Sequence, residues 1–432
     1  MEEIVIFWFR RDLRLEDNNG LWHALTSGFK VIPVFIYDTN IISSLEPEDR
    51  RMGFIGNILE TLNRSIKLKG SSLQIFTGTP IETFRELVLK YKVKALYFNR
   101  DYEPYAIKRD TEIADVMTAK GIRCYSYKDQ VIFEMSDILK NDEGPYTMYT
   151  PYSVKWLSRF RPEMITAWSS EKLTGNFAYI EEESFIRPPQ LGFTCPSFNL
   201  KPPLLEKNHI KGYGKARDFP SRGGTSMLGP HLRFGTISIR EVLRQTYGIS
   251  EVFVKELIWR EFFMQVLFHF PFVAERSFRP QFDRIEWVND EEKFELWCEG
   301  RTGFPIIDAG MRELQQTGYM HNRVRMVAAN FLTHHLLTDW RWGEAWFAEK
   351  LLDYDLSSNN GNWQWASGSG CDAAQYFRIF NPDTQLKKFD PHLDYVRMWI
   401  TELDTPDYPK RIVDLSEVRE RALAVYKAGI SS

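Results

Sequence analysis

Residues 353–382, DYDLSSNNGNWQWASGSGCDAAQYFRIFNP, concentrate side chains able to do chemistry. Asp353 and Asp355 are spaced acceptors, and Asn359 and Asn360 donate and accept without adding charge, so the four can line a polar ligand. Trp363 and Trp365 add planar surfaces. The small residues from Ala366 to Ala374 clear bulk where a flat ligand could lie against backbone. A Gly/Ser loop between two core helices with buried tryptophans satisfies the same composition, and a loose glycine pattern is weak evidence alone. Upstream, Glu256, Trp259 and Arg260 stand at i, i+3 and i+4, which on a helix puts an acid, an aromatic plate and a base on one face. A surface ion pair beside a core tryptophan is the alternative. Asn322, Arg325 and Met326 repeat the spacing, and the planar guanidinium of Arg325 suits a two-pronged contact with Asp353.

The elements that must hold these residues follow from hydrophobic patterning. Runs 4–9, 31–37, 73–77 and 95–98 are short, apolar and rich in β-branched and aromatic residues, with a fifth strand near 123–127. Helical spacing at 48–69 and 80–91 separates them, so the N-terminal region is expected to be a doubly wound parallel sheet, Rossmann-like, over residues 1–130. Periodicity fades from 131 to 203, where Pro188, Pro189, Pro196, Pro202 and Pro203 mark a long connector that Trp156, Leu157, Phe160 and Trp168 could bury. From 204 to 432 the pattern is helical, at 238–246, 250–269, 305–317, 319–337, 343–352 and 414–427. A chain of 432 residues fits two such domains.

Composition narrows the classes. A formal charge of −3 means that any nucleic-acid site must be a local basic patch. Cys124, Cys195, Cys298 and Cys371 are far apart and form no metal-ligand or disulfide pattern. No Lys/Arg-led apolar leader and no membrane-length apolar span is present, so a cytoplasmic protein is expected.

Read as strings, FWFRRDLRLEDN (7–18), YFNRDYEPYAIKRD (97–110), ELIWREFF (256–263), GRTGFPIIDAGMRELQQTGYMHNRVRM (300–326), DW (339–340) and the 353–382 stretch resemble, in that order, the DNA photolyase and cryptochrome family. The resemblance is strongest to a class I cyclobutane pyrimidine dimer photolyase. It implies non-covalent FAD in the helical domain and a light-driven lyase that repairs pyrimidine dimers in DNA. The alternative within the family is a cryptochrome photoreceptor without repair activity, against which Glu256, Trp259, Met326 and the lack of a C-terminal tail weigh.

Residue by residue, the resemblance implies that Glu256 hydrogen-bonds the damaged base pair, Trp259 packs on the lesion, Met326 touches a pyrimidine edge and Asn359 lies beside flavin N5. A carboxylic acid donating from Glu256 would need its pKa raised by burial. Tyr213, Thr225 and Ser226, in YGKARDFPSRGGTSMLGPHLRFG (213–235), would offer hydroxyls to the pyrophosphate. Met227 and Gly229 depart from the Arg and Ser expected there. Asn322, Arg325, Asp353 and Asp355 complete the implied FAD set. Trp287, Trp340 and Trp363 match the electron-transfer tryptophans, with three core tryptophans as the bland alternative. Arg217, Arg260, Arg323, Trp365 and Arg378 match DNA-contacting positions. A single His321 where six-four enzymes carry a histidine pair favours the cyclobutane dimer. Ala106 and Ala274 stand where folate-binding members have Glu and Lys, which argues against a folate antenna, while Asp101 and the EPY run at 103–105 leave deazaflavin or no antenna open. No metal is implied, and a monomer is expected.

Overall fold

The computed structural model describes residues 2–180, 183–194, 201–373 and 375–431, so Cys195, Pro196 and Ala374 lie outside the described residues. The four apolar runs and the fifth expected strand pair as one parallel sheet: β1 (Glu3–Phe9), β2 (Lys30–Asp38), β3 (Gln74–Gly78), β4 (Lys92–Asn99) and β5 (Arg123–Tyr127), in the order β3-β2-β1-β4-β5. Central β1 pairs Phe7 with Pro33 on one side and Tyr97 on the other. Pro33 is tolerated because β3 first pairs with β2 at Val34, so no β3 ladder bond is asked of its missing N–H. The helices Asn19–Leu25, Arg50–Lys67, Pro80–Lys90 and Pro104–Ala119 cross between strands. This is the doubly wound architecture that the alternation predicts.

The packing does not follow the expected divisions at 130 and 203. One compact unit consists of Met1–Asp137, Ser158–Leu205 and Met227–Tyr247, and the other of Ile138–Leu157, Glu206–Ser226 and Gly248–Ser432. Buried charge explains why part of the expected helical region joins the sheet unit. Arg240, on the helix Ile239–Thr246, is 4% exposed and reaches Asp17 at 2.9 Å and Asp129 at 2.7 Å, while Arg14 reaches Asp129 at 2.6 Å. Guanidinium groups this buried are held only where carboxylates meet them. The connector is likewise claimed by cores: Trp156 donates to Glu261 at 2.6 Å in the helical unit, and Trp168 packs on Trp22 at 5.0 Å in the sheet unit.

The second unit is helical, with Glu251–His269, Pro305–Thr317, Asn322–Asn330, Trp340–Lys350, Leu356–Ser367 and Leu415–Ser431 among its helices. The single helix expected over 319–337 is shorter and interrupted. His321 is its N-cap, its ring nitrogen accepting from Arg323 N–H at 3.2 Å, and the last turn, Phe331–His335, widens to a π turn. Thr333 Oγ1 donates back to Ala329 O at 3.0 Å beside that turn. Trp297, Phe304, Phe331, Leu332, Trp340 and Trp363 lie in this unit's core.

Candidate functional site

Trp259 forms one wall of an open cleft of about 600 Å³ in the helical unit. Trp365, Asp372, Phe377, Arg378 and Arg419 line the rest. Ser250 caps the helix carrying Trp259 through its hydroxyl, which accepts from Phe253 N–H. Tyr149 lies flat against the indole, with ring centroids 3.6 Å apart and planes 6° from parallel. One turn earlier, Glu256 is ion-paired with Arg217, whose guanidinium also sits 5.4 Å from the Tyr213 ring. The Glu256 side chain is 34% exposed, so the burial expected of a proton-donating acid is not found there; its carboxylate accepts from a cation. Arg260 and Met326 are half-buried, and the Arg323 guanidinium donates through Nη1 to the Met326 sulfur at 3.7 Å.

The residues expected to hold a cofactor converge on neighbouring helices. Arg325 meets Asp353 through two contacts, 3.1 and 3.0 Å, and donates through Nε to Met320 O at 2.7 Å. Asp355 is buried as the N-cap of Leu356–Ser367, its carboxylate accepting from Ser358 N–H at 3.1 Å. Asn359 is buried and donates its amide to Glu344. Asn322 is exposed at the start of its helix. Thr225 Oγ1 accepts from Tyr319 at 3.3 Å, and Ser226 is buried beside it in sequence. This donor set fits FAD: neutral amides for a ring system, hydroxyls for phosphates, and a guanidinium already balanced by its own carboxylate.

Two expectations about this stretch are corrected. Asn360 does not present its amide to a ligand, since it donates to Val273 O at 2.9 Å, alongside Gln364 at 3.0 Å. The glycines after Ala366 serve the chain itself: Gly368, with φ 86°, is the left-handed C-cap of the helix, and a Cβ on Gly370 would meet the Gln364 backbone at 3.2 Å. Close approach occurs instead at Gly361, where a Cβ would sit 2.2 Å from the Phe263 ring, and at Gly343, 2.1 Å from Trp363.

Trp340 and Trp363 are 2% exposed and share one core cluster, against which half-buried Trp287 packs. Trp363 lies 6.2 Å from the buried Trp297 at 70°, and Trp287 lies 5.6 Å, edge-on, from Tyr426. The expected patch of phosphate-holding arginines is more guarded than the sequence suggests. Arg323 pairs with Asp218 at 2.7 Å and stacks over Phe389 at 4.4 Å, and Arg217 is held by Glu256. Arg378 is exposed on the cleft rim, and Arg419, from the last helix, joins it. In the sheet unit, Ala106 is buried, and burial of Asp101 is outweighed by Arg11, Arg10, Arg233 and Arg109, which hold its carboxyl down to about 2.

Sequence reasoning missed Tyr149, Glu344, Arg419 and Trp297. Tyr149 lies in a stretch without periodicity, and Arg419 is one charge on an ordinary amphipathic helix. Only the acidic residue in WRWGEAWF (340–347), unusual among aromatics, carried a signal.

Residues 5–170 match the family profile described as DNA photolyase, and residues 253–407 match the one described as FAD binding domain of DNA photolyase. A deoxyribodipyrimidine photo-lyase of Agrobacterium fabrum is 36% identical over 98% of this chain and 98% of its own length. The crystal structure of a bacterial class III photolyase from Agrobacterium tumefaciens superposes with a TM-score of 0.88 at 34% identity, covering 100% of this chain and 98% of that one. An archaeal photolyase from Sulfolobus tokodaii, described with two FAD molecules, gives a TM-score of 0.83 at 35% identity, covering 99% and 100%. The chain therefore belongs to the DNA photolyase and cryptochrome family, as a photo-lyase whose helical unit carries the FAD-binding domain.

Proposed function

We propose that the chain repairs cyclobutane pyrimidine dimers in DNA with light. The observation that carries this reading is the open cleft between two aromatic plates, Trp259 and Trp365, with Arg378 and Arg419 on its rim. Reduced FAD, when bound, would supply light-driven one-electron chemistry for splitting the cyclobutane ring, with no net redox. The chain's own residues bind and orient. Trp259 and Trp365 receive the flipped dimer by stacking and apolar contact, and Met326 offers a polarizable edge. A dimer stacks and pairs poorly, so extruding it costs less than extruding normal bases, which favours damaged DNA. Arg378, with Arg260 and the two guarded arginines Arg217 and Arg323, holds phosphates around the cleft. Glu256 hydrogen-bonds the lesion with the carboxylate oxygen that Arg217 leaves available. Tyr213, Thr225, Ser226, Asn322, Arg325, Asp353, Asp355 and Asn359 hold the cofactor, and Trp363, Trp340 and Trp287 relay electrons from the surface.

The motifs favour class I, whereas the superposed Agrobacterium structure is described as class III, so the class rests on the motifs alone. We read the chain as a cytoplasmic monomer; among the described residues no helix is long and apolar enough to cross a membrane. With Ala106 buried, the helix Pro104–Ala119 offers no carboxylate to a folate at that position, and titration with methenyltetrahydrofolate should give no saturable new absorption. Stoichiometric uptake would reverse that inference. The repair reading is tested by binding thymine-dimer and intact oligonucleotides, then illuminating with the flavin reduced. Preference for the dimer with light-dependent thymine recovery is expected; absence of both hands the chain to the cryptochrome reading.

A further inference from the structure

Trp259 borders the cleft, and Tyr149 covers its ring face to face, with centroids 3.6 Å apart and planes 6° from parallel. Aromatic pairs ordinarily settle offset or edge to face, because stacked faces carry like-signed quadrupole lobes. So full an overlap needs an outside constraint, and two are present. The Tyr149 hydroxyl donates to Lys255 O at 2.8 Å, and its backbone N–H donates to an Asp372 carboxylate oxygen at 2.8 Å. Lys255 stands one helical turn before Trp259, and its carbonyl is the acceptor that α-helix geometry assigns to Trp259 N–H. The phenol is thus fastened to the turn that carries the indole, while Asp372 ties the same residue to the cleft wall. Phe262 closes the side, edge-on to Tyr149 at 5.9 Å and to Trp259 at 5.7 Å.

We propose that Tyr149 is a positioning residue that sets the plane of Trp259, so that the cleft is preformed for a flat base. The inference rests on the reading of the cleft as the dimer site. With the Tyr149 ring removed, Trp259 gains alternative rotamers, the flat wall exists for part of the time, and apparent affinity falls by that fraction. Ring splitting in the bound complex is unaffected, because Trp259 lines the cleft and Tyr149 is not among the residues that do. The effect therefore belongs in Kd for damaged DNA and not in the light-driven step.

The test uses the full FAD-loaded chain, with flavin absorbance reporting the fold, and the variants Tyr149→Leu, Tyr149→Phe and Trp259→Leu. Tyr149→Leu should weaken binding of dimer-containing DNA by roughly three- to tenfold, the range an aromatic pair is worth. Intact DNA should bind as before, and thymine recovery at saturating substrate with reduced flavin should be unchanged. Tyr149→Phe, which keeps the ring, should stay near wild type. An unchanged Kd in Tyr149→Leu, an equal loss on damaged and intact DNA, or slower recovery at saturation overturns the proposal. If the leucine variant does not hold FAD, Tyr149→Phe decides, since a loss above about tenfold with the ring retained exceeds what a ring pair supplies and removes the stacking role. Trp259→Leu separates the two levels: if dimer preference survives it, the cleft reading fails, and if it abolishes the preference while Tyr149→Leu leaves dimer binding at the wild-type value, only the role of Tyr149 fails.

Discussion

Asn359 donates its side-chain amide to Glu344 twice, to the backbone carbonyl at 3.0 Å and to the carboxylate at 3.1 Å. Burial pushes the Glu344 carboxyl above its ordinary value, and the Asn359 bond pulls partly the other way. The residue expected beside the flavin is therefore oriented by a carboxyl that holds its proton more tightly than an exposed one. A carboxyl raised in the folded state contributes stability below its unfolded pKa and loses it as pH rises through the folded value. Glu344→Gln, neutral throughout, should gain stability over wild type as pH rises above about 4.3, the unfolded value for a glutamate, and through the raised folded value. Urea unfolding of both proteins across that range checks it; a constant difference would mean that Glu344 titrates normally.

Buried histidines set the acid limit. Burial pushes His334 down to about 4 and His335 to about 3, and His321 falls to about 4 through burial and the neighbouring Arg325. A histidine lowered in the folded state favours the fold above its unfolded value near 6.5, and that contribution is lost as pH falls through the folded value. His334 alone accounts for about 3 kcal/mol of this loss at most. Its nitrogens face Asn330 O at 3.2 Å and Tyr376 O at 3.1 Å, bonds that offset burial only in part. Stability should fall between pH 6.5 and 4, and His334→Gln should reduce the proton uptake on unfolding in that window by about one. Unfolding midpoints at a series of pH values measure it.

Trp363→Phe should abolish photoreduction of oxidised flavin while leaving repair intact when the flavin is reduced chemically beforehand. Trp363 and Trp340 lie in the same core cluster, with Trp287 at its margin, so the proposed relay and the proposed substrate cleft involve different aromatic residues. Transient absorption at the wild-type reduction rate in the mutant would remove Trp363 from the path.

The pair Arg323–Asp218, 2.7 Å apart, predicts that phosphate contact is restrained by the protein's own acid. Asp218→Asn should strengthen binding to damaged and intact DNA alike and steepen the salt slope by about 1, whereas Arg323→Ala should weaken both and flatten it by about 1. Glu256→Ala should instead narrow the preference for the dimer by roughly 1–3 kcal/mol, the cost of one lost hydrogen bond to a buried polar group. Binding across a salt series separates them; a uniform loss on both DNAs in Glu256→Ala would make Glu256 a partner of Arg217 and nothing more.

Much of this was legible in order of residues. Four strands of the sheet unit are read from apolar β-rich runs because strands buried in a parallel sheet demand continuous apolar residues, and the helix bearing Glu256 and Trp259 is read from its spacing. The bidentate Arg325–Asp353 pair was likewise legible, since few partners match a planar guanidinium. What tertiary structure alone decided is which groups spend their hydrogen bonds on each other. Asn359 and Asn360 are adjacent in sequence, yet one faces Glu344 and the other Val273, because successive helical residues point about 100° apart and their long-range neighbours differ. Tyr149 reaches Trp259 across 110 positions, and Arg240 reaches Asp17 across 223, contacts that no local period encodes. Local pattern determines the elements because it acts through backbone geometry within a few residues; the pairing of buried charges and ring faces is settled by what the packed core leaves each one to meet.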